Sequence, residues 1–233
     1  MADISIAPLD RVEFSVAPRH WPFAETRQAE IAAHFAACKA RTPGIWNGRV
    51  LLLGQWTLAD RAMRGTYFET DFASFMAWRD WGFPDPTVAN CFAMGAIRAT
   101  DGAYLLGVMG HHTVNAGKVY FPAGTPDPDD IAGATVDLAG NIAREVLEET
   151  GLTGADLRVE PGWSAVLAGP RIALMQTLQA HVPAAELRAR VLAHLAREQE
   201  PELADVRIVR RRADFDPMMP PFVTAYLAHV LPD

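Results

Sequence analysis

The chain has 233 residues, half of them hydrophobic, and a formal net charge of −7 at pH 7. That hydrophobic share supplies a proper core and excludes a disordered chain. The acidic balance argues against a protein that holds nucleic acid by neutralising phosphates.

Along the chain, residues 12–16 suggest an early strand, and residues 25–41 have helical periodicity ending in the breaker Thr42-Pro43-Gly44. Residues 49–53 and 55–58 are short apolar runs that read as a hairpin across Gly54. Residues 71–81 read as a helix carrying aromatic side chains, and Gly82-Phe83-Pro84-Asp85-Pro86 stops it at the best candidate boundary in the chain. Trp46, Trp56, Tyr67, Phe72, Phe75, Trp78 and Trp81 are assigned to core packing.

The pattern then changes. Residues 91–98 and 103–109 are strand-like and joined across Asp101-Gly102, a strong hairpin signal. A polar loop over 110–117 leads to a strand-like run at 118–122. The next helix spans 137–150, with Asp137 as N-cap and Gly151 as its C′ stop. Strands are expected at 156–160, 163–167, 172–181 and 206–210, and helices at 184–200 and 221–231. This order suits an α/β sandwich. Cys38 and Cys91 form neither a metal-type spacing nor a disulfide framework and read as reduced packing residues. The N-terminus lacks the basic start and apolar run of a signal peptide, and no stretch approaches the ~18 apolar residues of a membrane span. A cytoplasmic protein is expected, with neither a membrane nor a nucleic acid as partner.

Residues 144–152 read Arg-Glu-Val-Leu-Glu-Glu-Thr-Gly-Leu. On a helix Glu145, Glu148 and Glu149 share one face, within about 100° of arc. Ile142, Ala143, Val146, Leu147 and Thr150 take much of the remaining circumference. Like charges at this spacing repel by a few tenths of a kcal/mol per pair, so such a face is either well solvated or holds a cation. Hard oxygen ligands suit Mg²⁺ or Mn²⁺ and not zinc.

The string Arg-Glu-apolar-x-Glu-Glu-x-Gly-apolar resembles the core of the Nudix box, the signature of the Nudix hydrolases. It arises by chance in roughly a few per 100,000 chains of this length, so the match is specific. The resemblance covers about residues 88–233 and implies a Nudix-like α/β/α sandwich with a mixed β-sheet. Residues 1–87 are then an N-terminal α+β extension that encloses substrate or contacts a second copy in a homodimer. The first half of the box departs from the family pattern of Gly, five residues, Glu, seven residues, Arg. Phe121-Pro122-Ala123-Gly124 resembles the usual turn, with Gly124 as the family glycine, but Asp130 stands where Glu is expected and thirteen residues separate it from Arg144. An insertion within 127–138 explains this, and either Asp130 or Asp137 replaces the missing acid.

The resemblance implies a metal site of Glu145, Glu148 and Glu149, with Glu148, Glu149 and Arg144 as the catalytic set. Gly124 lets backbone approach the metal and pyrophosphate, because no Cβ intervenes. Arg144 lies at i, i+4 from Glu148 and can hold that carboxylate by a charge-assisted hydrogen bond. The implied reaction is attack of water on a pyrophosphate phosphorus, with Mg²⁺ or Mn²⁺ neutralising charge. Glu148 is the first candidate for the base, and Glu198, Glu200 and Glu202 are later ones. His111, His112, Lys118 and Arg171 are candidate substrate contacts. The substrate is expected to be a nucleoside diphosphate linked to another moiety. A nucleotide sugar is favoured over ADP-ribose or coenzyme A by a slight N-terminal likeness around residues 43–53. A Nudix-type sensor without catalysis is the alternative.

Overall fold

The computed structural model describes residues 4–232. Two extended segments, β1 (Ile4–Leu9) and β2 (Arg11–Val16), open the chain and separate into different sheets at Asp10. The helix expected over 25–41 is two helices, α1 (Pro22–Thr26) and α2 (Gln28–Arg41). They break at Arg27, whose φ of −116° leaves the helical region while its guanidinium lies 4.2 Å from the Trp81 ring centroid.

The hairpin expected across Gly54 is corrected. Residues on both sides of Gly54 form one long strand, β3 (Arg49–Ala59), with a register shift between Leu53 and Gln55. Its partner is β4 (Ala62–Asp71), and the chain reverses at Asp60 and Arg61, with φ of 51° and 54°. Two successive left-handed residues make the turn whose twist matches a hairpin. Asp10 holds Arg61 in place, with Nη2 2.8 Å from Oδ1. Helix α3 (Phe72–Asp80) follows, capped by Asp71, whose carboxylate accepts from Ser74 N at 2.9 Å.

The remaining elements are β5 (Asn90–Arg98), β6 (Tyr104–Met109), β7 (Val119–Tyr120), a 3₁₀ turn (Pro128–Asp130), β8 (Ile131–Ala132), β9 (Thr135–Val136) and α4 (Leu138–Thr150). Then come β10 (Leu157–Val159), β11 (Trp163–Ala168), β12 (Arg171–Ala180), α5 (Ala184–Leu195), β13 (Leu203–Val209), a second 3₁₀ turn (Arg212–Asp214) and α6 (Pro221–Val230). Helix α5 ends earlier than the expected 200, so Glu198, Glu200 and Glu202 lie in the connection to β13.

The first sheet runs β1-β11-β12-β5-β6-β13, with β10 also paired to β12 and β7 to β6. Only β12 and β5 are parallel, which makes the sheet mixed. Alternation along β5 sends Cys91, Ala93 and Ile97 to one face and Phe92, Met94 and Ala96 to the other. Ile142 and Val146 of α4 and Leu187 and Val191 of α5 cover the first face. Val223, Tyr226 and Leu227 of α6 cover the second. This is the expected Nudix-like α/β/α sandwich with a mixed sheet.

A second sheet runs β3-β4-β2-β9-β8. Leu51, Leu53, Met63 and Tyr67 join the core beneath α4, whereas Val50, Leu52 and Phe68 pack on Trp21, Phe75 and Trp78. The division at residues 87 and 88 therefore separates neither the sheets nor the cores. Strand β1 completes the first sheet beside β11, and the β8–β9 hairpin crosses the other way to β2. The core assignment of the N-terminal aromatics is corrected at Trp46 and Trp56, which are 74% and 41% exposed. No helix among the described residues is long and apolar enough to cross a membrane.

Removing residues 1–87 uncovers the β11 edge and strips Leu51, Leu53 and Met63 from the shared core. A fragment of residues 88–233 is expected to be unfolded or aggregated by far-UV circular dichroism and size exclusion; a cooperatively melting monomer would contradict the shared core. In the intact chain, Ile142→Ala is expected to cost about 2–5 kcal/mol in denaturant unfolding.

Candidate active site

Helix α4 begins where Asp137 accepts from Gly140 N at 2.9 Å and ends at Gly151, whose φ of 70° suits a residue without a Cβ. Its faces differ from the expected division. Ile142, Val146 and Thr150 are buried, but Ala143 is exposed, Leu147 is 48% exposed, and Glu149 is buried with only 3% exposure. One acidic side chain of the box thus points inward while an apolar one faces water.

The carboxylates gather unevenly. Glu149 Oε1 accepts from Ala123 N at 3.4 Å. Glu145 lies against Gly124 so closely that a Cβ on that glycine would overlap its carboxylate. These two therefore converge on the Ala123-Gly124 turn. Glu148 stands apart, with its side chain 60% exposed. Among the described residues the trio whose ligand atoms fall within 4.8 Å of one another is His34, Cys38 and Asp80.

Arg144 also has other partners than expected. Its Nη2 donates to Asp130 Oδ1 and its Nη1 to Glu145 Oε1, each at 2.9 Å, while Glu148 Oε2 lies 3.8 Å away. Its reach favours the two inner carboxylates because Glu148 is drawn outward by water. Asp130 is 6% exposed and accepts further from Asn141 Nδ2 at 2.9 Å and from Asp127 N at 3.0 Å. Asp130 is therefore the acid paired with the box arginine, and Asp137 caps the helix. A carboxylate with five residues between it and the glycine keeps its place in the pattern, and the extra residues fold as the β8–β9 hairpin.

Electrostatics single out the same groups. Burial pushes Glu145 up from 4.5 to about 7; Arg144 opposes the shift, and Glu148 and Glu202 add to it. Glu149 is raised well above the ordinary carboxylate range, first by burial and then by Glu202 and Glu145, with the Ala123 N–H opposing. Glu202 is raised by burial and by Glu148, with His112 opposing. Glu202 thus joins the cluster from the segment before β13; like Glu198 and Glu200 it is exposed, but its charge, unlike theirs, acts on Glu145 and Glu149. Tyr120, whose hydroxyl accepts from Asn115 Nδ2 at 3.0 Å, is raised by burial and feels Glu149, Glu202 and Glu145. Sequence reasoning missed Tyr120, Asn141 and His194, whose Nε2 lies 3.3 Å from Glu148 O; no motif marks them. Of the candidate substrate contacts, His112 faces Glu202, His111 and Lys118 are exposed, and Arg171 stacks on Phe83 at 4.6 Å away from this cluster.

The donor set is oxygen throughout, partly buried and short of positive charge, and the missing Cβ of Gly124 lets the Glu145 carboxylate lie against the turn. These features fit a divalent hard cation. Glu145 and Glu149 would hold it from the inner side and Glu148 from the solvent side.

No family model matches the chain, and no curated protein matches it. Among solved structures, the Nudix hydrolase RenU from M. smegmatis is 17% identical, covering 60% of this chain and 80% of its own, with a TM-score of 0.38. The MutT protein from Methanosarcina mazei Go1 is 19% identical over 61% of this chain and 92% of its own, with a TM-score of 0.39. A Nudix hydrolase from Nitrosomonas europaea is 19% identical over 61% and 91%, also at 0.39. The chemistry rests on residues 144–152 and their surroundings.

A raised carboxyl makes stability depend on pH in a defined direction. The unfolded chain loses the Glu145 proton near 4.5 and the folded protein holds it to about 7. Without divalent cation, the Glu145 contribution to stability is therefore expected to fall as pH rises from about 4.5 to about 7. Melting temperature against pH checks this, and Glu145→Gln should flatten the slope. Arg144→Ala leaves Asp130 without its cation and is expected to cost about 1–3 kcal/mol by denaturant unfolding.

Proposed function

We propose that the protein is a divalent-metal-dependent pyrophosphohydrolase that cuts the diphosphate of a nucleoside diphosphate linked to a second moiety, with nucleotide sugars the first class to test. The observation that carries this reading is the pairing of Glu145 and Glu149 around the Ala123-Gly124 turn, with Glu202 beside them and Arg144 tied to Asp130. The clustered carboxylates of Glu145, Glu149 and Glu202 would repel any phosphate unless positive charge stood between. Mg²⁺ or Mn²⁺ bound there would neutralise phosphate oxygens and acidify a water.

The chain's own groups divide the remaining work. Glu145, Glu148 and Glu149 hold the cation. Arg144 positions Glu145 through a charge-assisted hydrogen bond and is itself fixed by Asp130. Gly124, having no Cβ, leaves room for the Glu145 carboxylate against the turn. Glu202 stands beside the cluster with its carboxyl raised by desolvation and by Glu148, and in its ionised form it is suited to take the proton of the attacking water. Glu148, being exposed, is better suited to ligation than to proton transfer. Asn115 and Tyr120, hydrogen-bonded to one another near the cluster, are candidates to bond the leaving group.

A panel of diphosphate-linked nucleotides with Mg²⁺ or Mn²⁺, assayed for nucleoside monophosphate release, tests the reading. Turnover of at least one class is expected, with Glu149→Gln reducing kcat at least 100-fold and chelator abolishing it. Because Glu149→Gln also removes a buried like charge, the variant is expected to melt at or above the wild-type temperature. Thermal stabilisation by a nucleotide without turnover would instead mark a sensor.

A further inference from the structure

Helices α2 and α3 pack behind the second sheet, and at one end three unlike ligands meet. His34 and Cys38 lie one turn apart on α2, and Asp80 is the last residue of α3. His34 Nε2 is 3.0 Å from Asp80 Oδ2 and 3.5 Å from Cys38 Sγ. Each pair of ligand atoms in the trio lies within 4.8 Å. Tetrahedral zinc, with bonds of about 2.0–2.3 Å, needs ligand atoms roughly 3.3–3.8 Å apart. The observed separations need only small adjustment.

We infer that His34, Cys38 and Asp80 form a binding site for a borderline-soft divalent cation, zinc by its donor set, which joins α2 to α3. One imidazole nitrogen, one thiolate and one carboxylate oxygen suit Zn²⁺ far better than Mg²⁺. The site is therefore independent of the all-oxygen cluster on α4 and of the reaction proposed there.

The surroundings hold each ligand for that role. Arg79 Nε donates to Asp80 Oδ1 at 2.8 Å, which leaves Oδ2 facing the imidazole. Arg41 Nη2 donates to Cys38 Sγ at 3.3 Å and fixes the direction in which the sulfur points. Such outer partners orient metal ligands. The Trp81 ring meets His34 edge to face at 5.7 Å and limits its rotation. Cys38 is buried, while His34 and Asp80 keep part of their side chains open to solvent, so a water can take the fourth position. On binding, the thiol proton leaves to solvent and His34 ligates as neutral imidazole through Nε2, its proton on Nδ1.

A nucleophilic Cys–His–Asp relay is a poorer reading of the same residues. A relay uses both ring nitrogens, one for the nucleophile and one for the acid. Here the thiol and the carboxylate both meet Nε2, and the thiol is buried.

Full-length protein stripped with chelator and titrated with Co²⁺ tests the site. A thiolate-to-cobalt charge-transfer band is expected to saturate at one equivalent, to be displaced by Zn²⁺, and to persist in Glu149→Gln. Cys38→Ser should lack the band. His34→Gln and Asp80→Asn should bind Zn²⁺ at least tenfold more weakly and lose its stabilisation of Tm. Arg41→Ala should weaken binding by about tenfold. The inference is overturned if wild type gives no band with excess Co²⁺, if the band survives Cys38→Ser, or if His34→Gln keeps wild-type affinity. Should Cys38→Ser fail to fold, the wild-type spectrum and the His34 and Asp80 variants still decide.

Discussion

Glu149 carries a carboxylate into the protein with one backbone N–H, 3.4 Å away, to meet it. Burying charge in this way is unfavourable unless something positive compensates. Glu145 and Glu202 add like charge to the same place, and the guanidinium of Arg144 is spent on Asp130 and Glu145. The folded chain thus maintains a region of excess negative potential that its own cations do not satisfy. Sites that hold hard cations are built this way, and the rest of the core must supply the stability that the cluster takes away.

The cluster is held by elements from both ends of the chain. Leu51 N on β3 donates to Pro126 O at 2.7 Å, which fastens the loop between Gly124 and Asp130 to the N-terminal sheet. Beyond Asp130 the inserted residues form β8 and β9, and Thr135 pairs with Ser15 on β2. The extra length in the box therefore gives the loop a second anchor. Residues 1–87 shape the site through this anchoring, since they help fix where Asp130 meets Arg144.

Behind that sheet, the helical layer is joined by different chemistry. Trp21, Phe68 and Trp78 pack edge to face, with ring centroids 5.6 and 6.2 Å from Trp21. Arg27 lies over Trp81, and the polar trio of His34, Cys38 and Asp80 sits at the margin of this aromatic packing. Helix α2 attaches to α3 by Ile31 in a cluster with Ala73 and Ala77 and by Cys38 in one with Met76, with Phe35 beside both, and the His34–Asp80 contact adds to them.

Local patterns in the sequence were enough for the elements whose signals are local. The hairpin at Asp101-Gly102, the Asp137 cap, the Gly151 stop and the spacing of three glutamates on α4 follow from turn chemistry and helical geometry, which a short window contains. The mixed sandwich follows from their order. Gly54 misled because an isolated glycine marks a turn or a bulge equally well, and the deciding pair, Asp60 and Arg61, carries no glycine. Strand β1 was invisible because its pairing with β11 is formed across more than 150 residues. The same holds for function. The box announces its carboxylates, but that Glu149 turns inward and Glu148 outward depends on what packs over α4. Asp130 and Asp137 are equal candidates in one dimension; only burial beside Asn141 and Arg144 gives the first its partner. Likewise Asp80 lies 42 residues beyond Cys38, and only the packing of two helices brings them together.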